Sequence, residues 1–193
     1  MKDKKIGLYF GSFNPIHIGH QIIAETIRTN AQLDAVWFMV SPQNPFKSSH
    51  NLLHEFDRFD MVEAALSGNP KLVPCDVEFH LPKPSYTIDT LQFLQQKYPT
   101  YLFYLIMGED NLNGFEKWKR YQDILENYSI LVFPRPNCEK TVFHTHPKVQ
   151  FVEAPDMNIS STYIRNRVKE RKSIRYLVHD AVYDIIEKNG YYL

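Results

Sequence analysis

Residues 5–20 read KIGLYFGSFNPIHIGH, and this stretch decides the fold. Its first part, residues 5–10, is short, apolar and rich in β-formers, so it predicts a strand. Gly11, Ser12, Phe13, Asn14 and Pro15 then form a turn, and from Gly19 to Asn30 the apolar residues recur at helical spacing. Strand, loop and helix in that order place the backbone N–H groups of the turn at a helix N-terminus, where an anion can lie.

Working outward, the same alternation continues. Residues 35–41 (AVWFMVS) form a continuously apolar run of the kind that suits a strand buried on both faces. A helix is expected over 54–66, where Phe56, Phe59, Val62, Ala65 and Leu66 share a face, stopped by Gly68-Asn69-Pro70. A short strand is expected around Leu72 and Val73 with Pro74 at its end, an irregular segment over 77–85, and a helix from a Thr87 cap to about Lys97. Residues 101–107 and 130–133 give further buried strands, 123–127 the end of a helix, and 149–153 a last strand. Two helices, 162–171 and 178–189, complete the chain, with Gly190 suited to ending the second.

That order argues for an α/β fold: an open parallel sheet flanked by helices, with ligands at the carboxyl ends of the strands. At about 150 residues per domain, 193 residues are expected to form one domain, residues 1–193, with a helical segment from about 160. The 22 Lys+Arg balance the 22 Asp+Glu, so no global field draws the chain to nucleic acid or an anionic membrane. The longest apolar run is far below the roughly 18 residues of a membrane span, and Gly11 to Pro15 interrupt any signal-peptide core. Cys75 and Cys138 lack both a disulfide framework and zinc spacing, so a cytoplasmic location is expected.

His17 and His20 stand three apart on the incoming helical turn, hence on one face, and two imidazoles there could donate to one phosphate chain. Gly19 between them removes a side chain that would obstruct a bulky ligand. Read alone, H-x-x-H also fits a turn without a ligand. Metal ligation needs a third donor, and none lies nearby at a familiar spacing, so no metal site is expected. Late in the chain, Ile159-Ser160-Ser161-Thr162 leads into a helix, where hydroxyls and N–H groups can meet an anion. Arg165 lies over the same first turn, able to grip phosphate oxygens in pairs, although a plain capped helix with a surface arginine fits as well. The neighbouring Arg167, Lys169, Arg171, Lys172 and Arg175 read as a solvated face.

With Phe13, Pro15, His17, Gly19 and His20 in register, and ISSTYIR at residues 159–165, the sequence resembles the nucleotidyltransferase superfamily of the H-x-G-H type. The resemblance implies a doubly wound, Rossmann-like parallel sheet and transfer of a nucleotidyl group with loss of pyrophosphate. PSYTIDTL (84–91), GEDNLNGFEKW (108–118) and FPRP (133–136) look like the nicotinate-nucleotide adenylyltransferases among them. The likeness implies ATP and nicotinate mononucleotide as substrates, in the synthesis of NAD, with Mg²⁺ held mainly by the ATP phosphates. It assigns His17, His20 and Arg165 to catalysis. Gly11, Ser12, Phe13, Gly19, Gly108, Asp110, Arg135, Ile159, Ser160, Ser161 and Thr162 fall to ATP, and Asn44, Lys47, Tyr86, Thr87 and Trp118 to the acceptor.

The residue types suit those roles. An indole face at Trp118 can receive a cationic pyridinium, and N–H donors at Tyr86 and Thr87 suit a carboxylate. Two departures stand out, Phe10 for a usual Gly and Asn14 for a usual Asp. Open alternatives are nicotinamide mononucleotide or phosphopantetheine as acceptor, and a nucleotide-binding regulator without turnover. A homo-oligomer is also left open.

Overall fold

The computed structural model describes residues 3–42 and 52–193. Six parallel strands, β1 (Lys4–Gly11), β2 (Ala35–Val40), β3 (Leu72–Cys75), β4 (Tyr101–Gly108), β5 (Ser129–Phe133) and β6 (Val149–Phe151), form one sheet in the order β3-β2-β1-β4-β5-β6. The helices are α1 (Ile18–Asn30), α2 (Glu55–Leu66), α3 (Thr87–Lys97), α4 (Glu109–Leu112), α5 (Tyr121–Asn127), α6 (Ser161–Lys169) and α7 (Asp180–Asn189).

The strands read as unbroken apolar runs because both faces of the sheet are covered. Side chains alternate across it: Ile6 and Leu8, Phe103 and Leu105, and Ile130 and Val132 pack under α3 and α5. Tyr9, Val36, Phe38, Ile106 and Leu131 face α1, α2, α6 and α7. Strand order reverses between β1 and β4, which are directly paired from Lys4↔Tyr101 to Tyr9↔Ile106. The crevice outside their carboxyl ends is thus the place the topology reserves for a ligand.

The differences from the sequence reading are local. Tyr86 takes the cap position of α3 with extended backbone, so Thr87 is the first helical residue rather than the cap. Phe56 is 55 % exposed and does not join the buried face of α2. Pro74 lies inside β3, tolerated because β3 is an edge strand. Residues 77–80 form a 3₁₀ turn in the segment expected to be irregular, and α6 ends at Lys169, two residues early. Gly190 follows α7 at φ 64, the left-handed stop expected of it. Among the described residues no helix is long and apolar enough to cross a membrane.

Candidate functional site

The loop that follows β1 is held from below by Arg58 of α2, which is fully buried. Its guanidinium donates to the main-chain oxygens of Ser12 (2.6 Å), Ser41 (2.8 Å), Pro42 (2.9 Å) and Leu53 (2.9 Å). One cation thereby ties the loops after β1 and β2 to α2, with Phe13 in the left-handed region at φ 44. Nothing in the sequence distinguishes Arg58 from an ordinary surface cation on a helix.

His17 caps α1 with extended backbone, and its N–H donates to Nδ1 of His20 at 3.2 Å. That bond assigns the ring proton of a neutral His20 to Nε2. The two rings stack, centroids 3.6 Å apart, with the edges of Tyr9 and Phe13 against His20. His17 is 5 % exposed; burial, then the Arg135 charge, lowers its pKa from 6.5 to about 4. Its Nδ1 is buried without a hydrogen-bond partner. A Cβ at Gly19 would stand 3.1 Å from that atom, so Gly19 makes room for the His17 ring and is not itself on the cavity wall.

The segment from Ile159 arrives from the far end of the chain and locks onto this loop. Ser161 Oγ donates to Pro15 O at 2.8 Å, and Arg165 Nη1 donates to Asn14 O at 2.8 Å. Arg165 Nη2 donates to Thr162 Oγ1 at 3.1 Å, and Ser160 Oγ caps α6 by accepting from the Tyr163 N–H. A guanidinium has five N–H donors, so two of these bonds leave others available to an anion. Ile159 to Thr162 and Arg165 line the same cavity, of about 660 Å³, as His17, His20 and Gly11 to Phe13.

Beyond β4, Gly108 lets the backbone come close: a Cβ there would run into the Asp110 carboxylate and stand 3.2 Å from the Phe133 ring. Asp110 lies 3.9 Å from Arg135, whose guanidinium sits over Phe133 at 5.0 Å and donates to Met157 O at 3.3 Å. Arg135 is positioned by a residue the sequence reading passed over. Its N–H donates to Glu109 Oε2 (3.0 Å), whose other oxygen meets His144 Nε2 at 2.9 Å. Burial pushes the Glu109 carboxyl up, but His144 and the Arg135 N–H outweigh it and hold it below its usual range.

The same cavity is lined by Tyr86 and Thr87, at the start of α3, and by a half-buried Trp118 packed on Phe115. A second unforeseen group lines this cavity. Glu78, 2 % exposed, accepts from Thr90 Oγ1 at 2.7 Å, while its Oε2 and the Ser85 Oγ have no hydrogen-bond partner. Burial raises its pKa, partly offset by the Thr90 hydroxyl. Asn44 and Lys47 lie outside the described residues. Among the described residues no three His, Cys, Asp or Glu side chains cluster as a metal site would require.

One cavity therefore gathers groups able to donate to an anion from both ends of the chain, with Trp118 and Arg135 in the same lining. The model of the cytidylyltransferase-like family matches residues 8–167. A relative from Cytophaga hutchinsonii, named probable nicotinate-nucleotide adenylyltransferase, is 56 % identical over 97 % of this chain and 98 % of its own. One of the same name from Flavobacterium psychrophilum is 48 % identical, again over 97 % and 98 %. In fold the chain is similar to a Plasmodium falciparum nicotinic acid mononucleotide adenylyltransferase solved with NaAD: TM-score 0.83, 22 % identity, covering 98 % of this chain and 97 % of that one.

Proposed function

The chain belongs to the cytidylyltransferase-like family, and on that footing we infer that it is a nicotinate-nucleotide adenylyltransferase acting as one domain in the cytosol. It transfers the adenylyl group of ATP to nicotinate mononucleotide, giving nicotinate adenine dinucleotide and pyrophosphate in NAD synthesis. A 5′-phosphate oxygen of the acceptor forms a bond to the α-phosphorus as the bond to the β-phosphate oxygen breaks and pyrophosphate departs. The attacking phosphate is already anionic at neutral pH and needs no general base, so the protein's work is alignment and neutralisation of charge growing on the leaving group.

One observation carries this reading: His17 at the cap of α1, His20 in its first turn and Arg165 from α6 line one cavity, joined by the Arg165 bond to Asn14 O and the Ser161 bond to Pro15 O. The imidazole N–H groups, the guanidinium and the N-terminal amides of α6 face the triphosphate. Gly108, Asp110 and Arg135 hold the adenosine side. The α3 amides at Tyr86 and Thr87 take the nicotinate carboxylate, which needs donors only, and Trp118 takes the pyridinium face. Mg²⁺ comes with ATP as part of the substrate, held mainly by its phosphates.

The test is pyrophosphate release with ATP and Mg²⁺ against a panel of nicotinate mononucleotide, its amide and phosphopantetheine. Nicotinate mononucleotide turns over fastest, and His17→Ala and Arg165→Ala each lower kcat by about 10²–10³. Equal rates with acid and amide would overturn the acceptor assignment, and wild-type turnover by His17→Ala would overturn the assignment of the donors.

A further inference from the structure

After α7 the chain reverses at Gly190 and lays Tyr192 against the loop that carries His17. The Tyr192 phenol donates to Asn14 Oδ1 at 2.9 Å, across 178 positions of sequence. The same oxygen accepts the Leu53 N–H at 3.3 Å, and the main-chain oxygen of Asn14 is the one that Arg165 grips. Three distant segments thus meet on one residue that is 5 % exposed and lies three positions before His17. Tyr192 reaches it at φ 69, a left-handed conformation that favours glycine and that a residue with a side chain keeps only where the surroundings hold it.

Packing of an apolar tail does not account for that arrangement. A ring could rest on the core through many backbone conformations, whereas this one directs a hydroxyl at a carboxamide buried beside the cavity. Burial holds the phenol in its protonated form, the form that donates, although Arg165 and Arg58 nearby pull the other way. The Asn14 carboxamide oxygen accepts from the phenol without bringing a negative charge to the cavity wall.

We propose that Tyr192 is a positioning residue for adenylyl transfer: its hydroxyl fixes the Asn14 side chain, and through it the loop from which His17 enters the cavity and on which Arg165 rests. It touches neither substrate. The inference rests on the preceding reading of His17 and Arg165 as the groups that meet the phosphates.

Tyr192→Phe keeps the ring and removes only the O–H. Its kcat should fall about three- to tenfold, the loss of one buried hydrogen bond, with both KM values within about twofold and the thermal midpoint lowered by no more than about 4 °C. Amide hydrogen exchange over residues 12–18, measured without substrate, should quicken by a similar factor while β1 is unaffected. The Asn14→Ala, Tyr192→Phe double variant should be no slower than Asn14→Ala, since the phenol has lost its target. Wild-type exchange in that loop would overturn the proposal whether or not the wild type turns over. So would wild-type kcat in Tyr192→Phe, or single effects that multiply in the double variant. A wild-type protein inactive on nicotinate mononucleotide, with the exchange difference present, strikes the substrate assignment alone.

Discussion

Replacing His17 with Asn removes a titrating ring at nearly constant polarity, and the structure says what that does to stability. In the unfolded chain the imidazole takes a proton near pH 6.5, while in the folded protein burial and Arg135 hold it neutral down to about 4. Between those values the unfolded chain binds more protons than the folded one, so the contribution of a neutral His17 is fully present above pH 6.5 and is lost as pH falls towards 4. The gap from 6.5 to about 4, at about 1.36 kcal/mol per pH unit, is worth about 3 kcal/mol. Urea unfolding of wild type and His17→Asn at about pH 7.5, 5.5 and 4 isolates it, because the titration of other groups cancels in the difference. The advantage of the wild type over the variant should shrink by about 3 kcal/mol across that range. A difference constant to within about 0.5 kcal/mol would refute the reasoning, since it would mean that the ring titrates alike in both states. The same physics reaches binding. A triphosphate beside His17 favours the imidazolium, so ATP binding near pH 5.5 should take up protons in the wild type and fewer in the variant. Calorimetry in two buffers of different ionisation enthalpy measures that uptake.

Arg58→Met leaves the oxygens of Ser12, Ser41, Pro42 and Leu53 without their donor. With about 1–3 kcal/mol for each buried acceptor left unpaired, partly relieved by water, the thermal midpoint should drop by roughly 10 °C in scanning calorimetry. Gly108→Ala forces the Asp110 carboxylate aside and presses on Phe133. Steady-state assays should show KM for ATP raised about tenfold, with KM for nicotinate mononucleotide unchanged.

Much of the architecture was legible in the residues, and for a physical reason. Strands of a parallel sheet covered on both faces must be continuously apolar, so residues 35–41 and 101–107 announce themselves. GSFNPIHIGH and ISSTYIR could be read as turns able to meet an anion at a helix N-terminus, but the residues alone left a ligand-free reading open and the family resemblance decided between them. The start of α3 was misplaced by one residue because Thr is a good cap in general, whereas here the extended Tyr86 takes the position.

What no local pattern could supply is which distant groups meet. Arg58 is an unremarkable helical cation until four carbonyls from three segments converge on it. Glu109 and His144 are 35 positions apart, and Glu78 sits in a stretch with no regular period at all. The character of each strand, loop and helix follows from side-chain chemistry over a few neighbouring residues, and that much the primary structure determined by itself. The meeting of His17 and His20 with Arg165, and of Tyr192 with Asn14, depends on strand order and on helices packing across both faces of the sheet. Those long-range contacts exist only once the whole chain has folded, so the tertiary structure alone decided them.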